Sequence, residues 1–413
     1  MRGTFTFLVG IWFLAIGNLI QAHGTQILER IRKQYTIPGL AAARIGDFRV
    51  YKDAVGVRKV DDPTQIKATD TFHLGSNSKA ITGTLIGMLV DKGYLNWDLT
   101  LPEALPEIAH VMSKGHHKTT IAMLGAHRTG IQDDLLTDTS FFEKLYDPLI
   151  TPLEGRLLMI NRILSKDPIG TPGEFFYDNT NYVILGRIIE KFTGDGVSWE
   201  KIAAEQLFNP LGMKCGFGTP PESSISSVDN PWGHMVNSSS DPPIPIGGPL
   251  IRRDNPPALS PAGRVHCDIE SYGKFILLHL DGFHGRPTPV RISAETFKKL
   301  HTPYPTLPSD TIAYTYGGWN YLDGSTSPWS NGPILSHAGS NTLHYVEAIL
   351  APHLGEKGEA LLTFMNVGNA VQGGTLPAGD ATVEVFAAIL NGTLFPSPNK
   401  HLNGAGELWV NMA

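Results

Sequence analysis

Much that would classify this chain quickly is missing from it. Two cysteines, Cys215 and Cys267, in 413 residues exclude a disulfide scaffold, so stability has to come from a buried core. Whether the two pair in an oxidising compartment depends on geometry that their spacing does not reveal. Charged residues are only 17 %, the net charge is −6, and no basic run occurs, which argues against a nucleic-acid partner. The 15 histidines contain no His-Glu-x-x-His, and the His116-His117 pair reads as surface, so no metal and no cofactor is called for. Gly-x-Ser-x-Gly is absent as well, which argues against an α/β-hydrolase. No internal repeat is visible.

Nor is there an apolar run comfortable as a membrane span. The stretch "FTFLVGIWFLAIGNLI" after Met1-Arg2 is short and broken by Gly10, Gly17 and Asn18, with the small residue Ala22 beyond it. One positive charge, a short apolar core and a small residue make residues 1–22 a secretory signal peptide, an uncleaved anchor being the weaker alternative. The expectation is a secreted or periplasmic protein with no stable membrane association. Two sequons, at Asn237 and Asn391, would carry sugar in a eukaryotic host.

What is present is a chain long enough for two core regions. "GTQILERIRKQY" has a helical period stopped by Pro38, and "LAAARIGDFRVYKDAVGV" reads as two strands about Gly46-Asp47. From about 98 to 210 the apolar spacing is helical, clearest in "NYVILGRIIEKFTG". Residues 218–262 are rich in Pro and Ser and read as a long loop. "LHYVEAILAP", "HLGEKG" and "EALLTFMNV" form a hairpin signal, and "DATVEVFAAILNG" a closing helix. Strands near both ends with helices between them imply an α/β (α+β) fold: an antiparallel sheet built from both chain ends, flanked by helices, with an inserted helical domain. The expected units are a sheet domain at 23–97 and 255–395, a helical domain with the long loop at 98–254, and a tail at 396–413.

The chemistry starts from "HLGSNSKAITGTLIG". Lys79 stands one helical turn after Ser76, so the two side chains can share a face, at the positive end of a helix dipole. Ser-x-x-Lys carries little information by itself, because Ser271-Lys274 and Ser397-Lys400 match it too. Two further stretches add to it. "FFYDNTNYV" places Tyr177 and Asn179 on alternate positions before a helix starting near Asn181. "ILSHAGSNT" places His337, Gly339 and Ser340 at the start of a strand, where a glycine admits close approach and the next N–H can serve an oxyanion. Tyr94-x-Asn96 and His353-x-Gly355 also match these patterns, but at a helix end and in a hairpin turn.

The order Ser76-x-x-Lys79, Tyr177-x-Asn179, His337-x-Gly339 resembles the serine β-lactamase and penicillin-binding-protein superfamily, most of all its branch of class C β-lactamases, esterases and D-alanyl-D-alanine peptidases. "MLGAHRTGI" and "NPPALSPAGRVHCDIESYGKF" are similar to further segments of that family, so the resemblance spans most of 27–395. It implies that Ser76 is the acylated nucleophile, that Lys79 and Tyr177 shuttle protons, and that Asn179 positions the substrate. It also implies an oxyanion hole from the backbone N–H groups of Ser76 and Ser340, with His337 and Gly339 contributing to substrate binding. Lys79⁺ is expected to lower the pKa of Tyr177. His337 stands where β-lactamases and most peptidases of the family carry lysine, so ester or amide hydrolysis is expected ahead of strong β-lactam turnover. Asp178, where Ser or Ala is usual, is expected to face away. The function implied is a secreted serine hydrolase of small-molecule esters or amides acting through an acyl-enzyme. An acyltransferase using the same residues and a non-catalytic peptidoglycan- or peptide-binding protein are the alternatives.

Overall fold

The computed structural model describes residues 23–395 apart from 134, 136, 137, 195, 238–240 and 369–376. Residues 1–22, the expected signal peptide, and the tail at 396–413, with Ser397-Lys400, lie outside the described residues.

Helix α1 (23–34) precedes the hairpin of β1 (Gly39–Gly46) and β2 (Arg49–Gly56). Asp47 and Phe48, both at positive φ (51° and 62°), close it in the two-residue turn whose twist suits antiparallel strands. β8 (Ala313–Tyr314), β9 (Asn320–Leu322), β10 (Ile334–Ser340), β11 (Tyr345–Ala351) and β12 (Glu359–Met365) complete an antiparallel sheet in the order β2-β1-β12-β11-β10-β9-β8. The first strands of the chain thus pair with the last.

All of β1 is buried because both sheet faces are covered. Ala41, Ala43 and Ile45 join Ala348, Leu362 and Phe364 in one core, with Ile81 and Leu85 of α2 (Ser78–Asp91). Leu40 and Ala42 join Ile349 and Leu361 in a second, under α1 and a helix at Pro377–Leu390. α2 is buried on every side from Ser78 to Met88 and Leu89, as a helix between two layers must be.

Further along the chain, among shorter helices, lie α3 (Pro152–Leu164) and α4 (Asn179–Thr193), with another long helix at Ile269–Phe283. Thr151 and Glu154 form a capping box on α3, and Asp178 caps α4, which therefore starts two residues before the expected Asn181. A second sheet, β3 (Thr71–His73), β7 (Val265–Asp268) and β4 (Cys215–Phe217), brings Cys215 opposite Cys267, and the two form a disulfide with Cα atoms 4.3 Å apart. The 218–262 segment holds the short hairpin of β5 (His234–Met235) and β6 (Ile244–Pro245) and ends in one-turn helices. Residues 98–254 are thus helical with short strands added.

Candidate active site

β3 runs into a single 3₁₀ turn, Gly75-Ser76-Asn77, that continues as α2. Ser76 is the one residue between Phe72 and Leu89 that is not fully buried. Neither helical segment is capped by a side chain, so Ser76 is not there as a cap. The turn is pressed against the end of β10. A Cβ on Gly75 (φ 52°) would lie 2.3 Å from the Ser340 nitrogen, and one on Gly339 would lie 2.1 Å from the Leu74 oxygen. Only two glycines allow this approach, which sets the Ser340 N–H beside the Ser76 turn. His337-Ala338-Gly339-Ser340 therefore closes a strand rather than opening one, and the following turn leads to β11.

Asn77 staples the turn from behind. Its Nδ2 donates to Leu74 O (3.1 Å) and Val346 O (3.0 Å), and its Oδ1 accepts from the Tyr272 hydroxyl (2.8 Å). Ser78 Oγ donates to Gly75 O (2.7 Å) and accepts from Val265 N–H (3.0 Å).

Lys79 is fully buried, and its Nζ lies 3.0 Å from Ser76 Oγ, 2.7 Å from Asn179 Oδ1 and 2.8 Å from Ala262 O. Burial lowers its pKa to about 7, against a smaller opposing effect of the Asp178 charge. Two of the three partners can only accept. A neutral amine has two N–H bonds and one lone pair, so with both N–H groups on Asn179 and Ala262 the lone pair points at the Ser76 hydroxyl.

Tyr177 packs its ring 4.7 Å from Lys79 Nζ and 4.4 Å from the His127 ring. The residue keeps 40 % of its surface exposed, but its hydroxyl is turned onto Ser76, and the loss of water there raises its pKa. This corrects the expected direction: Lys79 gives up its charge before it can depress Tyr177. Asp178 turns away, accepting from Thr180 N–H (2.7 Å) and Asp133 N–H (2.8 Å), and burial with the nearby Asp133 raises its pKa.

His337 Nδ1 lies 2.7 Å from Ala338 O and its Nε2 2.9 Å from the Tyr314 hydroxyl; both residues are buried. Burial first, then Lys79, pulls its pKa down to about 3. The structure thus brings Ser76, Lys79, Tyr177, Asn179, His337, Gly339 and Ser340 together. Of the other matches, Ser271 accepts from Lys214 N–H and Lys274 donates to Gly212 O, both structural, while Tyr94 is exposed. Tyr314, His127, Asn77 and the Ala262 carbonyl were not singled out by sequence. Asn77, His127 and Ala262 lie in stretches whose likeness pointed towards the site, and Tyr314 does not. Asn237 and Asn391 are both exposed. Among the described residues no helix is long and apolar enough to cross a membrane.

An antiparallel sheet from both chain ends, with helices over both faces and a Ser-x-x-Lys turn against its strand β10, is the β-lactamase/transpeptidase-like fold. The chain belongs to the Beta-lactamase family of serine hydrolases, whose model matches residues 25–352. Penicillin-binding protein 4 of Amycolatopsis lactamdurans is 26 % identical over 321 residues, covering 78 % of this chain and 79 % of its own. Unguisins hydrolase ungD' of Aspergillus campestris is 22 % identical over 352 residues, 82 % of this chain but 61 % of its own length. Among solved structures, the octameric penicillin-binding protein homologue from Pyrococcus abyssi superposes with a TM-score of 0.67 at 22 % identity, covering 89 % of this chain and 76 % of that one.

Proposed function

We propose that this protein is a secreted serine hydrolase that cleaves an ester or amide through an acyl-Ser76 intermediate. The observation that carries the reading is the Lys79 amine, buried without a carboxylate partner, 3.0 Å from Ser76 Oγ and with a pKa near 7. An amine that is half neutral at physiological pH can take a proton that a surface lysine cannot.

In this reading Ser76 Oγ attacks the substrate carbonyl as its proton moves to Lys79 Nζ. The oxyanion is held by the N–H groups of Ser76 and Ser340. Tyr177, protonated at neutral pH, gives its proton to the leaving oxygen or nitrogen and recovers one from Lys79. Water then attacks the acyl-enzyme, its proton going to the same pair, and Ser76 is restored. Asn179 holds the amine through Oδ1 and turns its Nδ2 to the substrate. The site lies at the seam between the sheet unit (23–97 and 255–395) and the helical unit (98–254). Secretion is supported by the Cys215–Cys267 disulfide, which needs an oxidising compartment.

The test is a fluorophosphonate probe. Ser76 is expected to carry the label, and Ser76→Ala to lose both label and ester turnover. Label that persists in Ser76→Ala would falsify the assignment.

A further inference from the structure

We propose that the acyl donor is uncharged around its scissile bond, because His337, which faces the reacting centre, has both ring nitrogens committed inside the fold. This deepens the acyl-Ser76 reading and rests on it.

The placement follows from register. His337 pairs with Ala348 and Gly339 with Val346, and both partners point into the core that α2 shares. His337 and Gly339 thus lie on the sheet face against which Ser76 and Lys79 stand. A carbonyl only accepts, so His337 Nδ1, 2.7 Å from Ala338 O, carries the proton. The neutral ring leaves a lone pair on Nε2, which accepts from the Tyr314 hydroxyl at 2.9 Å. Neither nitrogen then has an N–H to offer a substrate anion. Burial and the nearby Lys79 keep the ring neutral far below physiological pH.

Neighbouring cations do not make up the deficit. The Lys79 N–H groups are spent on Asn179 and Ala262. Arg128, next to His127, faces Asp310 (2.7 Å), and Arg264, two residues after Ala262, faces Asp254 (2.9 Å). Arg253, whose carbonyl accepts from Asn341, faces Glu222 (2.6 Å). Asp178, beside Tyr177, adds a negative charge. A carboxylate beside the scissile bond would lie near Tyr177, Tyr314 and His337, whose ring centres are 6.0 to 6.5 Å apart, and would lose water without gaining a cation to meet its charge. An uncharged ester or amide asks only that its carbonyl oxygen be met, and two backbone N–H groups do that.

The test compares two fluorophosphonates that differ only in a terminal methyl ester or free carboxylate, two methylenes from phosphorus. The second-order rate of labelling Ser76 is measured for each. The ester form is expected to react about 100-fold faster, and His337→Lys, which restores a cation, to narrow that ratio at least tenfold. A wild-type ratio below tenfold, or an anionic reagent that reacts faster, overturns this proposal and leaves Ser76 as nucleophile. No labelling by either reagent, or labelling unchanged in Ser76→Ala, overturns the nucleophile reading itself and this proposal with it.

Discussion

Lys79→Met keeps the length of the side chain and removes the amine, so it should cost activity and return stability. A fall in pKa from 10.5 to about 7 means that the charged amine is disfavoured in place by about 5 kcal/mol relative to water. Up to three hydrogen bonds at about 1 kcal/mol each are lost in exchange. The variant is therefore expected to be roughly 1–3 kcal/mol more stable at pH 7, with turnover lower by about 10²- to 10⁴-fold.

The sharper signature is in pH. Between the folded pKa near 7 and the unfolded 10.5, the unfolded chain binds the extra proton, so wild-type stability rises with pH, by up to about 1.4 kcal/mol per pH unit. From pH 7 to 9 the wild type should gain about 2 kcal/mol relative to Lys79→Met, because titrations common to both cancel. Urea unfolding of both proteins at pH 7, 8 and 9, followed by tryptophan fluorescence, measures this. A difference that stays flat across that range would mean that Lys79 is charged in the folded protein, and the proposed base would be lost.

Three other outcomes follow from the same geometry. Asp178→Asn keeps a good helix cap but removes the charge that favours protonated Lys79, so the acid limb of the kcat/KM profile should move to lower pH; a limb that moves up contradicts the electrostatics. Gly339→Ala sets a methyl 2.1 Å from a backbone oxygen, which should part β10 from the Ser76 turn, cost about 3 kcal/mol and slow fluorophosphonate labelling, read by urea midpoint and labelling rate. Cys215→Ser with Cys267→Ser opens a link across 52 residues, with an expected loss of about 2–4 kcal/mol in the urea midpoint at unchanged labelling under native conditions.

The hairpins were legible because their apolar patterns and turns are local. β1–β2 and β11–β12 stand where the patterns put them, and only the order of strands brings the chain ends together. Ser76, Lys79, Tyr177, Asn179 and His337 could be named because each sits in a short pattern with its own spacing. Tyr314 sits in none. Its relation to His337 arises from the pairing of β8 with β9 and of β9 with β10, which spacing does not encode. The state of the Lys79–Tyr177 pair was read the wrong way round for the same kind of reason. Spacing suggests only that Lys79⁺ stands beside Tyr177, whereas in the fold burial is the largest effect on both, lowering the pKa of Lys79 and raising that of Tyr177.

The pairing of the first strands with the last has a consequence in time. Ala41 waits for Phe364, about 320 residues later in the chain. At about 5–20 residues per second of synthesis, β1 and β2 exist for roughly 15–60 s before β12 is made. Through that interval the apolar edge of β1 is open to any other extended chain, and the two glycines that join Ser76 to β10 have nothing to meet. A ribosome-bound chain stopped before β10 should therefore be inert towards a fluorophosphonate, so labelling would report the moment at which the two ends close.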